Sequence, residues 1–303
     1  MTDANRTKRV LVTGGTRGIG KGIVAEFARA GFDVAFTGRT RTEGEGKEED
    51  AEGNPTPLPG SLETTTAIVE SCGQQAMPIQ LDLLDPAAVE AAGRRVLEEW
   101  GGVDVLVNNA MYEQGRYTNA WIKDTPMEEW SDKIQANFLA PLALIKLFLP
   151  KMIEAGGGRI INLSTRHNYT KQGGPPGRGG AGVSYNCSKA AVGKLADGIA
   201  AEHHSDGILA FDLDPGPVWT ERGETQNHRL GYPREIFCPI EVPAKATYWL
   251  ATEDEAADYN GQHFMAQEFV RSRGLSEEWE TALPMNANWS PTAILDWREP
   301  RRR

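Results

Sequence analysis

Seven short, nearly continuous apolar runs punctuate the chain: RVLVTGG, DVAFTG, AMPIQLD, VDVLVNNA, RIINLST, ILAFDLD and GQHFMA. A strand buried on one face alternates apolar and polar residues, whereas a run that is apolar throughout is buried on both. Between the runs, helical patterns cover 18–30, 61–72, 86–100, 127–155, 185–204 and 241–252. Strands alternating with helices predict an α/β fold, with a doubly wound parallel sheet covered on both faces. No internal repeat or second domain is visible, so one domain is expected over 1–270, with a C-terminal extension over 271–303. Trp279, Trp289 and Trp297 lie in that extension and are expected to pack against something rather than stand in water. Residues 41–60, RTEGEGKEEDAEGNPTPLPG, read as an inserted polar loop. Doubling a loop costs only about 0.6 kcal/mol of closure entropy, so such an insertion is easily tolerated.

The formal net charge of −10 argues against broad contact with nucleic acid or anionic lipid, both of which need basic surface. No single apolar run reaches the length of a membrane span, and MTDANRTKRV lacks a secretory apolar stretch. Cys72, Cys187 and Cys238 show no CxxC spacing and read as reduced thiols of a cytoplasmic protein. The five histidines form no ligand pattern, so no metal is expected.

The first apolar run leads into TGGTRGIG, Thr13 to Gly20, which opens the first helical pattern. Glycines there let the backbone turn tightly against a pyrophosphate, and the helix N-terminus offers N–H groups and positive dipole. After the second run an acidic residue would accept the ribose 2′-hydroxyl of NAD, but this chain has TGRTR. Arg39 and Arg41 stand there, and Arg17 lies in the glycine turn. Guanidinium groups match phosphate geometry, and screening beyond about 8 Å leaves the local arginines to outweigh the acidic whole. NADP is therefore the expected cofactor.

With these features the chain resembles the short-chain dehydrogenase/reductase family. Gly14, Gly18 and Gly20 follow its TGxxxGxG order, and further signatures come in the family's sequence. They are Asp82 in LDL, NNA at Asn108–Ala110, Asn137, Tyr185-x-x-x-Lys189 and PGPVWT from Pro215 to Thr220. The resemblance covers roughly 8–266 and implies a Rossmann fold. It also implies a cofactor site built from Gly14, Thr16, Arg17, Gly18, Ile19, Gly20, Arg39, Asp82, Leu83, Asn109, Ala110, Tyr185, Lys189, Pro215, Gly216, Val218 and Thr220. Asp82 would contact adenine, and Val218 and Thr220 would hold the carboxamide. Pairing through the helices at 127–155 and 185–204, giving a homodimer or homotetramer, is implied too. Met111 departs from the family's NNAG, and NGQHFMAQEF departs from its usual DGG ending.

Two tyrosines have a lysine shortly downstream. Tyr185 and Lys189 are four apart at the start of a helical pattern and share a face, while Tyr169 and Lys171 are two apart and diverge. A phenol with a pKa of about 10 needs a neighbouring cationic field to exchange its proton near neutrality. Tyr185 is thus the expected acid, with Lys189 beside it. By the same resemblance Asn137, Thr165, Tyr185 and Lys189 would form the catalytic set, with Thr165, aligned with the family's serine in IINLST, favoured over Ser164 as the hydroxyl that steadies the substrate oxygen. The Gly/Pro stretch between the tyrosines reads either as a solvated surface loop or as a mobile wall of the substrate pocket, with His167 and Tyr169 as candidate lining residues. Met111, Tyr112 and Trp219 suggest an apolar ketone or alcohol as substrate. Pro141 is expected to bend the middle helix and release the Asn137 carbonyl, because proline has no N–H to donate to it. A binding protein that holds NADP without turnover is the alternative, and the complete catalytic set argues against it.

Overall fold

The computed structural model describes residues 6–49, 54–112, 120–170, 174–176, 181–221, 237–277 and 279. Its strands are β1 (Arg9–Val12), β2 (Asp33–Gly38), β3 (Lys47–Glu49), β4 (Pro55–Pro57), β5 (Ala76–Gln80), β6 (Val105–Asn108), β7 (Gly158–Leu163), β8 (Ile208–Asp214) and β9 (His263–Met265). Seven of them form one sheet in the order β5-β2-β1-β6-β7-β8-β9, and every pair is parallel. These are the seven apolar runs. Alternate side chains feed two cores: Val10, Val12, Phe36 and Ile161 on one face, Leu11, Ala35, Leu106 and Ile160 on the other.

Helices α1 (Gly18–Arg29), α2 (Leu62–Ser71), α7 (Glu241–Thr252) and α8 (Ala266–Arg273) cover the first face. Helices α3 (Pro86–Trp100), α5 (Ala140–Glu154) and α6 (Val183–His203) cover the second. Local signals set their ends. Asp85 caps α3 by accepting from the N–H groups of Ala87 and Ala88, and Pro86 fills a first-turn position that needs no donor. Ser61 and Thr64 close a reciprocal capping box on α2.

Three expectations need correction. The stretch 41–60 is not all loop: β3 and β4 pair as an antiparallel hairpin, joined across the sequence 50–53, which lies outside the described residues. The pattern at 127–155 is not one helix either. Helix α4 (Met127–Ile134) passes through a π-helical turn, Gln135–Leu139, before α5 begins, and the Ala140 N–H donates to the Gln135 carbonyl. Pro141 then falls in the first turn of α5, where its missing N–H is tolerated. Taken as one unit, Met127–Glu154 is long and apolar enough to cross a membrane by composition. Its apolar residues Leu144, Phe148 and Met152 are instead buried in the second core. At the far end, α8 runs through Arg273, past the expected boundary at 270, and Trp279 packs against the first core beneath the Arg271 guanidinium. Trp289 and Trp297 lie outside the described residues.

Register builds one feature that no local pattern announces. Asn108, Asn162, Asp212 and His263 occupy a single row across β6, β7, β8 and β9, all buried. Asn108 Nδ2 donates to Asn162 Oδ1 at 2.9 Å, and Asn162 Nδ2 reaches the Val192 carbonyl of α6 at 3.4 Å. The row pins the sheet to the helix that carries Tyr185 and Lys189.

Candidate active site

A cleft of about 390 Å³ opens at the C-terminal ends of the strands, where the chain order reverses between β1 and β6. Its floor is the turn from β1 into α1. A Cβ on Gly20 would stand 2.1 Å from the Gly14 carbonyl oxygen, so only glycine permits this close turn. Thr16, Arg17, Gly18 and Ile19 line the same wall. The α1 N-terminus already receives an anion: the Gly18 N–H donates to Glu221 Oε2 at 2.8 Å, and Lys21 Nζ holds Oε1 at 2.5 Å. Burial pushes the Glu221 carboxyl up, but the hydrogen bonds from Lys21 and the backbone win and hold it below its ordinary value. The glycine cradle and the α1 N-terminus fit a bound diphosphate, which would take the Gly18 N–H that this carboxylate now occupies.

The remaining walls come from the other strand ends. Arg39 follows β2, Asp82 and Leu83 follow β5, and Asn109 and Ala110 follow β6. Asn109 Nδ2 donates to the Thr13 carbonyl at 2.8 Å, locking the two turns together. Pro215, Gly216, Val218 and Thr220 close the cleft from β8. Every residue expected at the cofactor therefore lines one cleft.

At its inner end stand Tyr185 and Lys189 of α6, with Ser164. Lys189 is buried, and its Nζ donates to the Leu163 carbonyl at 2.7 Å. Of the two candidate hydroxyl residues, Ser164 lines the cleft and the expected Thr165 does not. Along β7, Asn162 faces α6 and Leu163 the opposite core, so alternation returns Ser164 to the α6 side. Ser164 Oγ is buried with no hydrogen-bond partner among the described residues, whereas Thr165 Oγ1 is occupied capping the His167 N–H. Asn137 does not line the cleft. Its Oδ1 accepts from the Tyr112 N–H at 2.6 Å, and its Nδ2 donates to the Tyr112 carbonyl at 3.1 Å and Ser188 Oγ at 3.0 Å.

Met111 and Tyr112 form the rim. Burial first, then the carboxylates of Glu129 and Asp132, pushes the Tyr112 phenol up to about 12. Trp219 is not at the rim but packs edge-on against Phe237. His167 and Tyr169 do not line the cleft either. Tyr169 turns inward, its hydroxyl donating to Asp212 Oδ2 at 2.8 Å, the oxygen that also faces His263 Nδ1 at 2.9 Å. Sequence reasoning missed Glu221 and this inward triad, because no local pattern signals either.

The family model described as short chain dehydrogenase matches residues 8–56 and 58–231. This chain belongs to the short-chain dehydrogenase/reductase family. Like its members, this short-chain dehydrogenase is an oxidoreductase of the type that uses a nicotinamide dinucleotide. It is 31% identical over 227 residues to the 3-oxoacyl-[acyl-carrier-protein] reductase of Staphylococcus aureus, covering 74% of this chain and 80% of that protein. An NADP-dependent 3-hydroxy acid dehydrogenase of Salmonella typhi is 27% identical over 251 residues, 80% of this chain and 88% of that protein. The acetoin dehydrogenase structure from Enterobacter cloacae superposes with a TM-score of 0.67 at 26% identity, covering 86% of this chain and 94% of that one.

Proposed function

We propose that this short-chain dehydrogenase interconverts a carbonyl and a secondary alcohol with NADP(H), and that Tyr185 exchanges the proton. The observation that carries this reading is Tyr185, Lys189 and an unpartnered Ser164 hydroxyl on one cleft wall. When bound, the cofactor supplies or accepts the hydride. Ser164 donates to the substrate oxygen, the role expected of Thr165. Tyr185 delivers the proton to that oxygen in reduction and takes it back in oxidation. Lys189, one helical turn on, favours the charged phenolate by its own charge. Asn137 acts through others: it fixes the Tyr112 backbone at the cleft edge and ties it to Ser188, beside Lys189.

The preference for NADP is supported by Arg17 and Arg39 lining the end of the cleft next to β2. The exposed Met111 and the half-buried Tyr112 suit an apolar ketone or alcohol. The test is NADPH oxidation, followed by nicotinamide absorbance, against a panel of ketones, quinones and steroids. Turnover with an apolar carbonyl is expected, and Tyr185→Phe should abolish it while NADPH still binds. NADPH binding without turnover across the whole panel would overturn the enzymatic reading.

A further inference from the structure

The 41–60 insertion takes no part in that chemistry, yet it touches the cofactor cleft. At Gly60, with φ +100°, a Cβ would stand 2.4 Å from the Thr16 carbonyl oxygen. At Gly46 one would stand 2.3 Å from the Leu58 carbonyl oxygen and 3.3 Å from Arg17 Nη2. The insertion therefore ends against the backbone of the phosphate turn at Gly60, and Gly46 lies beside the Arg17 side chain. Arg17 Nη2 donates to Thr40 Oγ1 at 2.8 Å and to the Gly60 carbonyl at 2.9 Å. One acceptor flanks the insertion and the other ends it, so both hydrogens of that nitrogen are spent on its two sides.

Gly60 is held in turn. Its N–H donates to both carboxylate oxygens of Glu43, at 3.0 and 3.2 Å, and Thr64 Oγ1 donates to Glu43 Oε2 at 3.2 Å. These bonds, the Gly60 N–H foremost, keep the Glu43 carboxyl below its ordinary range against the contrary effect of burial. A long arginine side chain loses much rotamer freedom when it grips a ligand, and one already held loses less.

We propose that the insertion is a cofactor-specificity element: Thr40 directly, and Glu43 through Gly60, seat Arg17 to receive the ribose 2′-phosphate beside Arg39. Glu43 and Thr40 are positioning residues, and the proposal rests on the NADP reading above. It implies that the preference for a 2′-phosphate depends on side chains outside the glycine turn.

The full chain and three variants, Thr40→Val, Glu43→Ala and Glu43→Gln, would be titrated calorimetrically with 2′,5′-ADP and with 5′-AMP. These ligands differ only in the 2′-phosphate. The wild-type chain should favour 2′,5′-ADP by about 10-fold or more, a modest free-energy difference. Thr40→Val and Glu43→Ala should cut that ratio to about two-fold or less, with 5′-AMP affinity unchanged. Glu43→Gln, whose amide oxygen still accepts from Gly60, should keep most of the preference, and it also covers the case that Glu43→Ala misfolds. A full preference in folded Thr40→Val and Glu43→Ala would overturn the proposal while leaving the NADP reading intact. A matching gain in preference in Glu43→Gln and Glu43→Ala would overturn it too, because the carboxylate would then act only by repelling phosphate. A wild-type ratio near one would refute the NADP reading itself.

Discussion

Ser164 and Thr165 are neighbours with similar chemistry in different surroundings. Ser164 Oγ is buried without a partner at the cleft, so Ser164→Ala should lower kcat by about 10²- to 10³-fold, the usual cost of removing one oxyanion donor. Thr165 Oγ1 caps a short helical turn, so Thr165→Val should cost about 1 kcal/mol of stability and leave kcat within a few-fold. Steady-state kinetics beside thermal unfolding separates the two, and the opposite assignment of losses would return the role to Thr165. Glu221 poses a second residue-scale question, because its carboxylate occupies the Gly18 N–H that a diphosphate would use. Its pKa lies below the ordinary carboxylate value, so the docked contact is present at neutral pH and is lost as pH falls through that depressed value. Glu221→Gln removes the competing charge, and NADPH should bind about 3- to 10-fold tighter at neutral pH, worth roughly 1 kcal/mol. Fluorescence titration reads this, and weaker binding would show that the carboxylate helps rather than competes.

At the scale of elements, the turn between α4 and α5 carries Asn137, which holds the Tyr112 backbone at the cleft edge. A π turn widens the helix by one residue and is common at functional sites. Pro141 cannot donate to the Asn137 carbonyl, so it disfavours the ordinary helical register that would otherwise compete there. Pro141→Ala should hold or raise the melting temperature, lower turnover, and leave NADPH affinity where it was. Unchanged turnover would reduce the proline to a packing detail. The connection from β7 to α6 is clamped from below in a comparable way. Tyr169 holds Asp212, and Asn168 Nδ2 donates to the Lys189 carbonyl at 2.8 Å. Tyr169→Phe leaves a buried carboxylate with one donor fewer, so it should cost about 1–3 kcal/mol in chemical denaturation while substantial activity survives. Loss of turnover with unchanged stability would mean that Tyr169 acts at the substrate.

At the scale of the molecule, a sheet covered on both faces leaves some apolar surface on the outside of its helices. Trp121, Ile122, Met127 and Leu139 stand exposed at and near α4 and the start of α5, with Met127 76% exposed. Large apolar side chains exposed in this way favour association. A homodimer or homotetramer is expected by light scattering at micromolar concentration, and Met127→Glu should shift it toward monomer. A monomeric wild-type chain would reject this assembly.

The seven apolar runs are legible in the amino-acid sequence as the seven strands of the sheet, because a strand buried on both faces can tolerate little polarity. The glycine turn and the Tyr185–Lys189 spacing are legible too, because covalent neighbours fix which face of a turn or helix they share. That Ser164 rather than Thr165 lines the cleft is not, since it depends on how β7 leaves the sheet. Nor is the buried row Asn108, Asn162, Asp212 and His263, which exists only once four distant strands settle into register. Glu221 reaches the Gly18 N–H from 203 residues away, and the insertion reaches Arg17 only after its hairpin folds back. Local patterns carry the periods of strands and helices. Contacts between segments that no short-range period connects are decided by packing, which only the tertiary structure supplies.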